Sequence, residues 1–174
     1  MLETIVAIIA VLLLVVAFAA TRPNTFRVAR STRIAAAPDK IYPLIDDFHR
    51  WTVWSPYEGL DPNLKRSYGG ASSGVGATYE WEGNNKAGTG RMEILEAAAP
   101  AKVTIKLDFT KPFVAHNTAE FTLEPGGAGT IVTWAVHGPQ PMMAKVMSLF
   151  FSMDKMLGKD FETGLASLKT VVEA

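Results

Sequence analysis

The histidines, and the serine and acidic residues near them, are the side chains of this chain best suited to chemistry. The three histidines are His49, His116 and His137, and no two lie at a helical metal-binding spacing or beside a carboxylate cluster. Ser55, His49 and Asp61 could form a nucleophilic triad on paper, but no G-x-S-x-G nucleophile elbow occurs. The sequence therefore nominates no catalytic residue and no metal ligand.

Composition excludes several further classes of chemistry and leaves no cofactor to expect. The glycine-rich stretch Ser67–Gly76 lacks the lysine that a P-loop places after its glycines, so it reads as a flexible loop at a cavity mouth. There are no cysteines, which rules out disulfides, thiolate metal sites and cysteine nucleophiles. The 17 Lys and Arg residues balance the 17 Asp and Glu residues and are scattered, which disfavours nucleic-acid binding.

One inward-facing amide stands out among the strands. Period-two alternation places Asn117 on the apolar face with Ala119 and Phe121, and it places His116 on the opposite face. A buried amide is costly unless it is hydrogen-bonded. Its partner is either a ligand head group or water, or else a neighbouring protein group, and the sequence leaves both open.

The C-terminal stretch Pro141–Val172 is the element that the rest of the chain must cover. Apolar residues recur at steps of three or four, which predicts one long amphipathic helix: Val146, Phe150, Met153, Leu157, Phe161, Leu165, Leu168 and Val172. Two glycines within it, Gly158 and Gly164, permit either a close approach to the sheet or a bend.

The remaining pattern predicts an α+β domain. Phe26–Ala36 reads as a first strand, and two short helices follow over Pro38–Asp46 and Asp47–Trp54. After a strand near Leu64–Tyr68, period-two strands with short turns predict an antiparallel meander, with inward residues over 77–81, 92–94, 103–109, 119–123 and 132–136. The expected fold is a curved antiparallel sheet of about seven strands gripping the long C-terminal helix.

The N-terminus predicts a membrane anchor over residues 1–22, with the globular domain over 23–174. Ile5–Ala20 is an unbroken apolar run close to the length of a spanning helix. A cleaved signal peptide is the alternative, since Ala17-Phe18-Ala19 fits a cleavage pattern, although no Lys or Arg precedes the run. Basic residues follow the run, so a retained anchor predicts a cell-membrane protein whose domain is cytoplasmic, while cleavage predicts a secreted or periplasmic one.

Three stretches of the chain and the C-terminal helix after them resemble the START-like or Bet v 1-like (SRPBCC) superfamily. The stretches are IAAAPDKIYPLIDDFHRWTVWSP, GVGATYEWEG and LEPGGAGTIVTWAVHG. The resemblance covers residues 26–172 and is closest to the bacterial polyketide cyclase/dehydrase and lipid-transport branch. It implies a helix-grip fold around a hydrophobic cavity. No catalytic motif of that branch can be matched position by position, and the same frame hosts carriers, enzymes and chaperone-binding modules.

The aromatic and methionine side chains therefore become the candidate cavity lining, because methionine adapts to different apolar ligands. The predicted lining is Trp54, Tyr79, Trp81, Met92, Phe109, Asn117, Phe121, Trp134, Met143, Met147 and Phe150. Plain core packing is the alternative for each of them.

The function expected from these observations is a membrane-tethered domain that binds a lipid, quinone or polyketide-like molecule. Two alternatives stay open. One is an enzyme of cyclase or dehydratase type in which Asn117 or His116 polarises a carbonyl group. The other is a protein-interaction module of the chaperone-binding kind.

Overall fold

Seven antiparallel strands form a single sheet in the computed structural model, which describes residues 1–174. The strands are β1 (Thr25–Ile34), β2 (Lys65–Gly70), β3 (Ala77–Glu82), β4 (Thr89–Ala98), β5 (Lys102–Lys111), β6 (Ala115–Pro125) and β7 (Thr130–Pro139). Their spatial order is β1-β7-β6-β5-β4-β3-β2, so β2 to β7 form the predicted meander and β1 pairs with β7. The predicted helix-grip fold is confirmed.

The two faces of this sheet differ as period-two alternation predicts. Along β6, Ala119, Phe121 and Leu123 are buried, while the residues between them are half-buried and more polar. Cross-strand pairing continues the apolar face sideways, since Phe121 pairs with Val103 on one side and with Trp134 on the other. We call the face that bears these buried residues the inner face.

The connection between β1 and β2 forms the two predicted short helices as tight turns. Helix α2 (Pro38–Ile41) begins at a proline, whose missing N–H would be unpaired in a first turn, and a 3₁₀ turn at Tyr42–Leu44 continues it. Further 3₁₀ turns lie at Phe48–Val53 and Pro56–Gly59. The indole N–H groups of Trp51 and Trp54 donate to the backbone carbonyls of Ile45 and Leu44 at 3.0 and 2.8 Å, which fixes both rings over the inner face.

The single long helix predicted over Pro141–Val172 is wrong in one respect, because the chain breaks it in two. Helix α3 covers Met142–Met147, and helix α4 covers Met153–Glu173. A separate N-terminus starts α4, where the Ser152 hydroxyl accepts a hydrogen bond from the Lys155 N–H at 3.3 Å. The apolar periodicity continues through Phe150, although that side chain is exposed in the turn between the two helices. Periodicity alone therefore could not locate the break in the helix.

Helix α4 packs against the inner face beside β1 and β7. Phe161, Leu165 and Leu168 are buried there, and the Phe161 ring stacks on Trp134 with ring centroids 4.4 Å apart. Both glycines of this helix serve close approach: Gly164 lies against the Trp134 ring and Pro56, and Gly158 lies over the Arg30 guanidinium.

Helix α1 (Leu2–Ala20) precedes the sheet and is almost wholly exposed. By length and composition it is apolar enough to cross a membrane. Only Val15 is half-buried and only Ala19 is buried, four residues apart on one side, and α1 contacts α3. Asn24 follows α1, accepting hydrogen bonds at 2.7 Å from the Lys145 ammonium to its side chain and from the Gln140 N–H to its carbonyl.

We expect Gly164→Ala to destabilise the fold although alanine favours helices. Its Cβ would lie 2.8 Å from the Trp134 ring and from Pro56, two rigid groups, so overpacking of about 1–3 kcal/mol outweighs a propensity gain of about 1 kcal/mol. Thr163→Ala is the control, because it places alanine at the adjacent exposed position of the same helix, where the change creates no new contact. Urea unfolding of both variants measures the difference, and equal midpoints would contradict the close-approach argument.

Candidate functional site

The centre of the inner face is a closed aromatic cluster. Trp134 lies at its middle, with its ring centroid 5.1 Å from Phe121, 5.6 Å from Trp54 and 6.4 Å from Trp51. Edge-to-face and stacked arrangements predominate, as aromatic quadrupoles favour. In this structure the predicted lining residues Trp54, Tyr79, Met92, Phe121 and Trp134 are all buried in the core that this cluster anchors.

The inner face loses its cover toward one end of the sheet. Across the middle, the register joins Val28, Val136, Ala119 and Ile105, and all four are buried. The next inward-facing row lies closer to the start of β1. Its residues on the same four strands are only half-buried: Phe26, Gly138, Asn117 and Leu107. This is the end of the sheet at which α1 joins β1, and we call it the α1 end.

Three predicted lining residues, Trp81, Phe109 and Asn117, are half-buried at this α1 end. The Trp81 and Phe109 rings meet edge to face with centroids 5.4 Å apart, and the Trp81 indole N–H donates to the Ala87 carbonyl at 3.0 Å. Gly90 beneath Trp81 has no side chain that would collide with the ring. We call the half-buried, mostly apolar strip of the inner face at this end the trough; it consists of Phe26, Trp81, Leu107, Phe109 and Asn117.

Met143, Met147 and Phe150 do not belong to the interior. All three are exposed, on α3 or in the turn before α4. That turn and the start of α4 form an open recess of about 470 Å³, lined by Phe150, Phe151, Ser152, Lys155 and Met156. The structure thus brings these residues to the α1 end, because α3 directly follows β7, whose last residue pairs with the first residue of β1.

Several polar groups near the inner face have no hydrogen-bond partner within the chain. The buried ones are the Trp134 indole N–H, the Tyr42 hydroxyl and the Ser55 hydroxyl. The Asn117 carboxamide lies over Gly138, where any larger residue would collide with it. An unpaired buried donor costs about 1–3 kcal/mol. Of these groups only Asn117 lies in the half-buried trough, where a polar group of a ligand can pair with it.

A partly exposed ion pair that binds a buried tyrosine hydroxyl was missed by the sequence analysis. The Glu58 carboxylate accepts a hydrogen bond from the Tyr79 hydroxyl at 2.7 Å and pairs with the Arg66 guanidinium at 2.6 Å. Burial and this hydrogen bond raise the pKa of Tyr79, while the hydrogen bond to Glu58 raises the pKa of Arg66. The available signal was Tyr79 itself, because an inward tyrosine needs a partner for its hydroxyl.

The histidines all pair with carboxylates, two of them on the outer face of the sheet. His116 contacts Asp108 at 2.8 Å, on the outer face as predicted, and His137 contacts Glu120 at 3.6 Å on the same face. His49 contacts Asp47 at 2.9 Å and stacks on Tyr68.

The three members of the paper triad make no hydrogen bond to one another. Asp61 instead accepts from the backbone N–H groups of Asn63 and Asn84, and the Ser55 hydroxyl is unpaired. No group of three or more His, Asp or Glu side chains is placed to hold a metal ion.

Residues 25–173 match the family described as polyketide cyclase / dehydrase and lipid transport. No curated protein sequence matches the chain. The match covers the whole of residues 26–172, the region that resembles this family.

Solved structures share the fold at low sequence identity. Major latex-like protein 151 of Panax ginseng is 14% identical, with a TM-score of 0.60 over 85% of this chain and 97% of that one. The Aha1 dimer of Colwellia psychrerythraea is 18% identical, with a TM-score of 0.58 over 85% of this chain and 96% of that one. DynU16, a putative protein in the dynemicin biosynthetic locus, is 15% identical, with a TM-score of 0.61 over 88% of this chain and 48% of that one.

We expect Glu58→Ala to lower the free energy of unfolding by about 1–3 kcal/mol, because it leaves the buried Tyr79 hydroxyl without a hydrogen-bond partner. Glu82→Ala is the matched control, since Glu82 pairs with Lys65 at 3.4 Å on the exposed edge and such pairs contribute under about 1 kcal/mol. Thermal and denaturant unfolding of the two variants tests this. A loss at Glu82 as large as that at Glu58 would contradict the assignment.

Proposed function

We propose a function from one premise: this chain belongs to the polyketide cyclase / dehydrase and lipid transport family. It is a membrane-tethered domain that binds a hydrophobic small molecule carrying at least one hydrogen-bonding group. The ligand class is a lipid, a quinone or a polyketide-like compound. Its binding place is the trough at the α1 end of the inner face.

The observation that carries this proposal is the graded burial of the inner face. The aromatic cluster closes its centre, while Phe26, Leu107 and Phe109 stay half-buried at the α1 end. Apolar surface left uncovered beside a folded core is the kind of surface that a hydrophobic ligand buries, at about 25 cal/mol for each Å². Asn117 adds a free amide in the same row, which supplies a hydrogen bond and orients the ligand.

The membrane tether is the second part of the proposal, and α1 supports it. A helix of 19 residues is about 28 Å long, close to the roughly 30 Å of a bilayer's hydrocarbon core. Nearly all its side chains are exposed and apolar, so folding of the domain alone leaves them facing water. Arg22 and Arg27 follow the helix closely, which favours a cytoplasmic domain by the positive-inside rule.

A protein-interaction module is the second candidate, and one observation favours it. The centre of the inner face is filled, and a run of large apolar side chains is exposed on α3 and in the turn after it. Exposed apolar surface of this kind marks binding sites for proteins or for membranes. An enzyme has less support, because His116 points away from the trough and pairs with Asp108.

Native mass spectrometry of the full chain, released from gentle detergent, tests ligand binding. We expect a discrete extra mass that disappears on denaturation. Leu107→Trp fills the trough and lowers the bound fraction strongly, whereas Lys106→Trp places the same ring on the exposed outer face and leaves it unchanged. If only the bare polypeptide mass appears, and a fluorescent fatty acid also fails to bind, the binding proposal is overturned.

The Asn117 amide has its own test. Asn117→Ala removes one hydrogen bond, worth about 1 kcal/mol, so we expect affinity for the captured ligand to fall roughly fivefold. Thr118→Ala, its outward neighbour, is the control. Titration of the ligand extracted from the wild-type protein, followed by intrinsic tryptophan fluorescence, measures both. Equal affinities for the two variants would show that Asn117 does not touch the ligand.

The tether is tested by the intact mass of the protein purified from membranes. A retained anchor gives the full-length mass and resists alkaline extraction. A mass that begins after Ala19 identifies a cleaved signal peptide and overturns the tether, while leaving the trough proposal in place.

A further inference from the structure

We infer that the exposed apolar residues at the α1 end form a rim that inserts into the interfacial layer of the bilayer that α1 crosses. The rim consists of Phe113 and Val114, in the β5–β6 connection, and Met143, Met147, Phe150 and Phe151, on α3 and the turn after it. This inference rests on the proposed membrane span of α1. It adds a surface, a partner and an orientation for the whole domain.

The two parts of the rim come from distant parts of the chain, yet they lie at one end of the sheet. The register pairs Phe109 with Ala115 across the β5–β6 connection and Thr25 with Pro139 at the start of α3. Antiparallel pairing through β6 and β7 places both connections at the end where α1 joins Thr25. Phe113 is 81% exposed and Val114 is 71% exposed, so nothing in the domain covers them.

The linker after α1 holds this end of the domain at the membrane. Asn24 accepts hydrogen bonds from the Lys145 ammonium on α3 and from the Gln140 N–H after β7. The only α1 residues that lose exposure are Val15 and Ala19, in its last turns, where it contacts α3. If α1 spans the bilayer, those turns lie at its surface, and α3 lies at the same depth.

The charges at this end match an anionic lipid surface. The exposed basic residues around the rim are Arg22, Lys86 and Lys111, and the acidic residues nearest to it, Glu82 and Asp154, pair with Lys65 and Arg30. The remaining connection at this end, before β2, contains Asp61, whose carboxylate is buried against backbone N–H groups. Each Lys or Arg near an anionic leaflet contributes about 1 kcal/mol of attraction.

A lipid surface therefore fits better than a soluble protein or a second copy of the chain. Apolar side chains mixed with basic ones are typical of segments that lie in the plane of the interface. The rim is also continuous with α1, so the bilayer meets it without a separate association step. A second copy would bring the same basic connections into contact with themselves.

Single-cysteine labelling tests the inference in the full chain, because the protein has no native cysteine. Val114→Cys and Val75→Cys each replace an exposed valine in a connection between strands, 71% and 60% exposed, but at opposite ends of the sheet. Each carries an environment-sensitive NBD label in vesicles of equimolar phosphatidylcholine and phosphatidylglycerol. Spin-labelled lipid quenches a label in the bilayer, and iodide quenches a label in water.

We expect the label at position 114 to lose at least about half of its emission to spin-labelled lipid and to resist iodide, as insertion of an apolar segment into the interface requires. The label at position 75 shows the reverse. Phe150→Cys probes the other part of the rim and behaves like position 114. Thermal unfolding of each labelled protein confirms that it is folded.

Two results would overturn the inference, and a third separates it from the proposal beneath it. If positions 114 and 75 are equally open to iodide, the domain stands clear of the membrane. If position 114 resists iodide but lipid does not quench it, a protein or a second copy covers the rim. Leu12→Cys, within α1, is the reference: if lipid fails to quench that label, the membrane span of α1 is wrong.

Discussion

The contact between α4 and the sheet is the constraint on which the rest of this molecule depends. A lone helix on one face of a seven-stranded sheet can bury that face only if it comes close, and the stack of Phe161 on Trp134 sets the distance. Gly164 makes the approach possible, since any side chain there would meet that ring. The aromatic cluster is closed because the helix is near, so the centre of the fold favours stability over ligand volume.

Closing the centre determines what happens at the two ends of the sheet. At one end, α2 and the 3₁₀ turns bring Ile41, Ile45 and Phe48 over the strands and bury them. At the α1 end, α4 starts only at Met153 and its first turns are held to β1 by the ion pair of Arg30 with Asp154, at 3.0 Å. The part of the row that contains Asn117 and Leu107 is therefore only partly covered. The break between α3 and α4 turns the chain outward at the same place, so its apolar side chains face away from the sheet.

Sequence reasoning predicted what depends on local periodicity and missed what depends on coverage. The alternation around Phe121 placed Asn117 inward and His116 outward. The structure agrees, because successive side chains of a strand point to opposite faces of the sheet. The helical pattern also placed Phe161, Leu165 and Leu168 correctly. It failed at Phe150, where the spacing persists but the backbone has left the helix. It also could not tell that Trp54 and Trp81 differ in cover, or that Glu58 meets Tyr79, since both depend on contacts between distant segments.

The proposed trough and the proposed rim have a common energetic consequence for ligand transfer. A lipid-like molecule with about ten methylene groups loses roughly 8 kcal/mol of hydrophobic stabilisation when it passes through water, and that penalty makes spontaneous transfer to a distant binding site slow. An opening that faces water would impose it in full. Here the half-buried residues of the trough lie at the same end of the sheet as Phe113 and the α3–α4 turn. If that end is seated in the bilayer surface as proposed, apolar contact would be continuous from the lipid to the inner face, and the proposed tether and rim would together remove the aqueous step.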